Sequence, residues 1–337
     1  MAQISLNKHQ YHSQASLWMA TLRRFTRLLR MSFFFNLLFF FLALTEITLF
    51  FSFFAIFSQS TLLGFTLAIF FLTIFSYFVL RIYIQAKRPE QLLDLCEEYL
   101  QRCKEMMSYQ EGIPEHHISL AKSAHKFAAA LYEKEYLLFS PPSFLESLLP
   151  TLEKFSCFCY WKDLHRLKEL LLSTSVEEHL KVVKCEPTNL EVHAALANAY
   201  VVLSSIYADP RKFHDYDEDK WIPPQRYSEE MQAKFRATAQ RAIEEFKILH
   251  EYAPNDPWVH IQLAYSYHDL QMPKEEIEEY EIVLKLRPKD TDTLFKLGML
   301  YFQQGMNANG LNIYEMLKHT NYKKAESLIK FYGSYED

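Results

Sequence analysis

Glycine is scarce in this chain, with six in 337 residues. There is no Gly-rich phosphate loop, no GxSxG elbow, no HExxH pair and no identifiable site of paired carboxylates. Segments that alternate in the manner of strands are few, so the chain reads as helix after helix. The five cysteines, Cys96, Cys103, Cys157, Cys159 and Cys185, are odd in number and show neither CxxC nor a paired metal spacing. They are expected as free and mostly buried structural thiols, with Cys157 and Cys159 pointing away from each other on a helix. His116, His117 and His125 lack a metal-site partner set and are expected on the surface of a helix. These absences predict no enzyme activity, no catalytic residue, no metal and no cofactor.

Acidic residues are missing from everything before Glu46, while Lys8, Arg23, Arg24, Arg27 and Arg30 precede it. Residues 31–84 are nearly all apolar and hold 16 of the 28 phenylalanines. Within them, residues 32–57 and 62–84 each exceed the roughly 20 residues a helix needs to cross a bilayer. The polar step Ser58-Gln59-Ser60-Thr61 joins them, which predicts a two-span membrane hairpin. A signal peptide would have a shorter apolar core and a small-residue cleavage site, and neither is present. Arg81, Lys87 and Arg88 mark the end of the second span. Positive charge on both flanks places both termini on the cytoplasmic side. The arm, residues 1–31, is basic and amphipathic, with Trp18, Leu22, Phe25 and Leu29 on one face. It is expected either to lie in the membrane interface or to act as a plain topogenic flank.

Glu46 falls near the middle of the first span, where a charged side chain costs about 2.5–3.5 kcal/mol on insertion scales. Asn36, Thr45, Thr48 or another subunit are its expected hydrogen-bond partners, in a contact that holds the hairpin together or drives self-association. The formal net charge of −5 conceals an asymmetry, because the excess of acid lies entirely after residue 84. An anionic lipid surface suits the basic arm, and the acidic body disfavours nucleic acid.

Helices are predicted over residues 89–108, opened by Pro89 and broken by Gly112 and Pro114, and over 115–138, stopped by Ser140-Pro141-Pro142. A helix over 144–160 and a short hairpin of 161–172 with 176–184, closed by Pro187, follow. Residues 85–186 thus form a helical region of degenerate repeat character. Beyond them the spacing becomes regular: Leu263 returns as Leu297, Ala264 as Gly298, Tyr267 as Tyr301, Tyr280 as Tyr314, Val283 as Leu317 and Pro254 as Pro288, each 34 residues later. A fixed period of this length marks stacked helical hairpins, none of which can bury its apolar face alone.

The unit PWVHIQLAYSYHDLQMPKEEIEEYEIVLKLRP and the following TDTLFKLGMLYFQQGMNANGLNIYEMLKH resemble the tetratricopeptide repeat (TPR) family. An earlier unit is split: Leu196, Ala197 and Tyr200 carry its first helix, and Ala242, Phe246, Leu249 and Pro254 its second. An insertion at about 208–227 and a long helix beginning near Ser228 separate them. Within the insertion, Asp215-Tyr216-Asp217-Glu218-Asp219 has the alternating acids of a calcium loop. Lys220 and Arg226 stand where a glycine and a bidentate Glu are needed, so a solvated acidic loop is expected. Departures from the family pattern are Glu276 in a small-residue slot, Trp258 two places early, and a last unit that ends at Tyr322 without proline before a solvating end helix.

The resemblance implies an α-solenoid of TPR-like hairpins over 187–337; with the two apolar spans, the expected architecture is all-α, a two-span transmembrane hairpin followed by that solenoid. It also implies a groove lined by first-helix residues, here Asn198, Val201, Trp258, Ile261, Tyr265, His268, Phe295, Met299 and Phe302. These side chains are aromatic and apolar and lack the basic clamp of members that hold a C-terminal carboxylate. The implied partner is a protein offering an apolar or helical segment; for Trp258 and Phe302, packing against a neighbouring helix is the competing expectation. A membrane-anchored scaffold or adaptor is the expected function. The alternatives are an assembly or secretion chaperone, or a bacterial effector in a host-derived membrane. The last rests on the closely spaced apolar pair, which resembles the bilobed hydrophobic region of chlamydial inclusion membrane proteins in architecture, without a sequence motif.

Overall fold

The computed structural model describes residues 2–56, 61–137, 149–212 and 221–333, with side chains from Leu17 onward. The connector at residues 58–60, the stop at Ser140-Pro141-Pro142, the start of a helix at Phe144 and the acidic loop from Asp215 to Asp219 lie outside the described residues. Every regular element among them is helical: an all-α chain of eleven α-helices and two short 3-10 turns. It forms two compact units. One comprises Met1–Gln110, Lys122–Leu171 and Glu218–Pro223; the other comprises Glu111–Ala121, Leu172–Asp217 and Pro224–Asp337.

In the first unit, α1 (Ala2–Ile56) and α2 (Thr61–Met106) pair as a hairpin. Both carry stretches long and apolar enough to cross a membrane, and those stretches are unburied by protein. Glu46 accepts a 2.7 Å hydrogen bond from Thr73 on the opposite helix, and its second oxygen is buried without a partner. The neighbours predicted for it are otherwise engaged. Thr45 and Thr48 donate to the carbonyls of Leu42 and Leu44, and Asn36 donates to Ser32 while accepting from Tyr77. Hydroxyls inside a helix satisfy themselves on the preceding turn, so the contact to Glu46 comes from across the hairpin.

The hairpin does not end with its apolar stretch. Arg24 pairs with Glu98, which also holds Arg102. Thr21, Phe25 and Leu29 are buried on α1, as are Leu92, Cys96, Tyr99 and Cys103 on α2. Of the predicted face, Phe25 and Leu29 are therefore buried by protein and Trp18 and Leu22 are half-buried, so the face does not lie free in an interface. Pro89 does not open a helix either; it lies inside α2. The ring removes one backbone donor, and the buried face of α2, Leu92 to Cys103, starts one turn after it. Burial raises the Cys96 thiol to about 12 and the Cys103 thiol to about 11.

α2 ends where Tyr109 N–H reaches back to the Lys104 carbonyl at 3.0 Å and Ser108 adopts φ 50°. Pro114 then occupies the first position of α3 (Pro114–Ala130). This helix stops short of the predicted residue 138: tight turns follow from Leu131, and Glu133 has φ 58°. The predicted hairpin of 161–172 with 176–184 is absent. α4 (Leu149–Cys185) is one helix of 37 residues. Its buried side chains run without a break from Cys157 through Leu164, Leu167 and Leu171 to Val182, and no Gly or Pro interrupts the helix after Pro150.

The second unit contains the repeats. α5 (Leu190–Ser205) packs on α6 (Glu229–Tyr252), α7 (Pro257–Asp269) on α8 (Pro273–Leu286), and α9 (Thr291–Gln303) on α10 (Asn307–Thr320); α11 (Tyr322–Gly333) follows. The 34-residue period extends to the backbone. Asp256 caps α7 by accepting from Trp258 N–H at 2.9 Å, and Asp290 caps α9 by accepting from Asp292 N–H at 3.1 Å. Gln271 and Gly305, at matching positions, both adopt left-handed φ, of 58° and 71°. Met272 and Met306 then donate to the carbonyls of Tyr267 and Tyr301, turning each first helix into its second.

Close packing explains the small residues of the pattern. Ala197, Ala242 and Ala264 are fully enclosed. A Cβ on Gly298 would stand 2.7 Å from Leu328, and one on Gly310 would stand 2.4 Å from the Phe302 ring. Glu276, in a small-residue slot, is buried at 6 % exposure and is held by His268, while Ile277 beside it enters the core.

Candidate protein-binding surface

The first helices of the repeat pairs, α5, α7 and α9, present the predicted groove residues to different degrees. Asn198, Tyr265 and His268 are exposed, and Trp258 is 39 % exposed with its ring edge against Phe246 at 6.1 Å. Val201 and Ile261 are half-buried, Val201 against the core between α5, α6 and α7. Tyr265 is tied to the next unit: Lys296 Nζ donates to its hydroxyl at 2.9 Å and lies 4.1 Å from its ring centre. That contact holds one face of α7 to α9 by an exposed cation and a ring.

Of the two expectations for Phe302, packing against a neighbouring helix is the one the structure meets. This ring is buried at 4 % exposure, seated on Gly310 and tilted against Tyr332 of α11 at 4.5 Å. Phe295 and Met299 are half-buried against the same cluster. Lys324 of α11 pairs with Asp292 at 2.6 Å, which pins the last helix beside α9. Phe302 is a core residue, so the open surface lies on α5 and α7 and reaches α9 only through Phe295, Met299 and Lys296.

α6, at 24 residues, is longer than its repeat counterparts, and its extra turns border a second concavity. This cleft of about 480 Å³ is lined by Tyr207, Asp209, Phe235 and Arg236 together with residues 268–271. Of the predicted groove residues only His268 reaches it. Asp209 holds Arg211 by a two-point contact, 2.9 Å from Oδ1 to Nε and 2.7 Å from Oδ2 to the terminal nitrogen, and Arg211 stacks on Tyr227 at 3.8 Å. The Glu276 carboxylate raises the His268 imidazole, and burial raises Asp269. Nothing in the local sequence marks this cleft, because it depends on the lengths of α5 and α6 and on the chain between them.

Three buried histidines were not legible as such. His117 is 2 % exposed and meets Glu178 at 2.6 Å, against the surface position expected of it. His193 meets Glu245 at 2.7 Å and the Pro187 carbonyl at 3.0 Å. His260 meets Glu279 at 2.6 Å and the Pro254 carbonyl at 2.9 Å. For the last two the signal was available: each lies six residues after the proline that closes the preceding unit. Among the described residues no cluster of three His, Cys, Asp or Glu is placed to hold a metal ion.

The helix pairs define a TPR-like α-solenoid. No protein-family model matches the chain, and no curated protein matches it. Among solved structures, MamA of MSR-1 aligns at 16 % identity over 64 % of this chain and 94 % of its own, with a TM-score of 0.32. YrrB, a TPR protein with an unusual peptide-binding site, aligns at 13 % identity over 68 % of this chain and 97 % of its own, with a TM-score of 0.32. A monomeric mutant of IFIT1 with m7Gppp-AAAA aligns at 15 % identity over 74 % of this chain and 62 % of its own, with a TM-score of 0.37. The assignment of the fold rests on the helix pairs and their matching caps.

Proposed function

We propose that the chain is a membrane-anchored scaffold or adaptor: α1 and α2 span a bilayer, both termini face the cytoplasmic side, and the TPR-like pairs dock a protein partner. The observation that carries this reading is the exposed set Trp258, Tyr265 and Asn198 on the first helices, behind a hairpin whose apolar stretches no protein covers. An isolated exposed aromatic is ordinary, but two rigid aromatic side chains on one helix face make inexpensive anchors for a partner. The surface suits an apolar or helical segment, because Lys296, the cation beside Tyr265, is already held on that ring. The acidic body disfavours nucleic acid.

Two measurements test the reading. Resistance of the full chain to carbonate extraction checks the anchor. Affinity capture with full-length wild type and with the Trp258→Ala/Tyr265→Ala pair checks the surface. Loss of the captured protein in the variant, with its helical content unchanged, supports docking there; equal capture by both refutes it.

A further inference from the structure

The first part of α4 carries an exposed stripe: Phe155 and Phe158 stand at 44 % and 73 % exposure, with Lys154 and Lys162 exposed beside them. The opposite face, Cys157, Tyr160, Trp161 and Leu164, is buried. A helix with phenylalanine and lysine together on its open side has the composition of one that lies in a membrane interface.

Its position relative to the hairpin agrees. Phe155 meets Phe33 edge to face at 6.4 Å, and Phe33 stands at the start of the apolar stretch of α1. Asp163 pairs with Arg88, just past the end of the apolar stretch of α2. The Glu46–Thr73, Asn36–Tyr77 and Arg24–Glu98 contacts set Phe33 level with a stretch of α2 from about residue 80 to residue 89, which includes Arg88. Both contacts thus lie at the same end of the hairpin, where its apolar stretches begin and end, and they hold the first part of α4 there. Trp221 packs on Phe158 at 6.3 Å, adding an aromatic of the type enriched at this depth.

We propose that the first part of α4 is a third membrane contact, with Phe155 and Phe158 in the interfacial layer of the leaflet that the hairpin enters and Lys154 and Lys162 toward its phosphates. This rests on the reading of α1 and α2 as membrane-spanning. The contact holds the first unit down against the bilayer at a fixed height.

The test places a photoreactive benzoylphenylalanine at one position at a time in the full chain, reconstituted in phosphatidylcholine–phosphatidylglycerol nanodiscs. The positions are Phe158, Leu38 within the first span, and Met106 at the far end of α2; all three side chains are exposed. Lipid adducts are counted by mass spectrometry. The expected result is labelling at Phe158 and Leu38 several-fold above Met106. Labelling at Leu38 with Phe158 no higher than Met106, or adducts from Phe158 to a second copy of the chain, overturns the third contact and leaves the hairpin standing. Failure at Leu38 overturns the hairpin reading and this inference with it.

Discussion

His260 Nδ1 lies 2.6 Å from a Glu279 oxygen while its Nε2 lies 2.9 Å from the Pro254 carbonyl, so one buried ring ties both helices of a unit to the proline closing the unit before. His193 repeats the arrangement with Glu245 and Pro187. One unit further on the position is Leu294, which enters the core.

Replacing His260 by leucine removes the ring that bridges a carboxylate and a carbonyl. Lost hydrogen bonds of this kind cost about 1.5–3 kcal/mol when one group is charged. His260→Leu is expected to lower the thermal midpoint of the detergent-solubilised chain by several degrees, whereas replacing the exposed His319 should leave it unchanged. Equal midpoints for wild type and His260→Leu count against the contact.

His193 links stability to pH. Burial works against its charged form, but the Glu245 carboxylate and the Pro187 carbonyl outweigh that and raise the group above its usual range. A raised folded value means that folding favours the proton. The contribution is therefore full below about pH 6.5, the ordinary value for histidine, and is lost as pH rises through the folded value. Wild type should lose more stability between pH 6 and pH 8 than His193→Gln does. A parallel pH profile for the two proteins contradicts the linkage.

Gly310→Ala tests the close approach of α10 to α9. The added methyl would stand 2.4 Å from the Phe302 ring, which Tyr332 holds from another side. Overpacking of this kind costs about 1–3 kcal/mol. The midpoint is expected to fall, and pairing the change with Phe302→Leu should recover part of the loss. Gly64→Ala, where no atom lies within 4 Å, is the control.

Thr73 and Glu46 predict an asymmetry. Thr73→Val removes the donor and leaves a polar side chain among apolar ones, while Glu46→Leu removes the polar group itself. Interhelical hydrogen bonds in membranes average about 0.6 kcal/mol and reach about 1.7. Thr73→Val should destabilise the hairpin by an amount of that order in detergent-denaturation titrations. Glu46→Leu should be neutral or stabilising, and Thr73→Val should cost nothing in its presence.

Much of the second unit was legible because its information is local and repeated. Leu263 and Leu297, Tyr267 and Tyr301, and the small residues Ala264 and Gly298 recur at a fixed period, whereas the caps Asp256 and Asp290 and the left-handed turns at Gln271 and Gly305 came from the structure. Pro89 misled for the opposite reason. As a local signal it opens a helix, but here the helix of the second apolar stretch runs on past it into the face shared by Leu92, Cys96 and Tyr99. The hairpin expected within α4 failed likewise, since a continuous buried row outweighs weak breaks such as Ser173-Thr174-Ser175.

By itself the sequence determined that the chain is helical, that two stretches are apolar over a membrane's thickness, and that the last third repeats. Hydrogen bonding along the backbone and the period of apolar residues decide those matters locally. Only the tertiary structure decided that Phe302 is core while Trp258 is open, that Thr73 holds Glu46, that His117 is buried on Glu178, and that the arm packs on α2 instead of lying free. Each depends on which side chain arrives from a distant part of the chain, and periodicity can give a residue's face without naming what covers it.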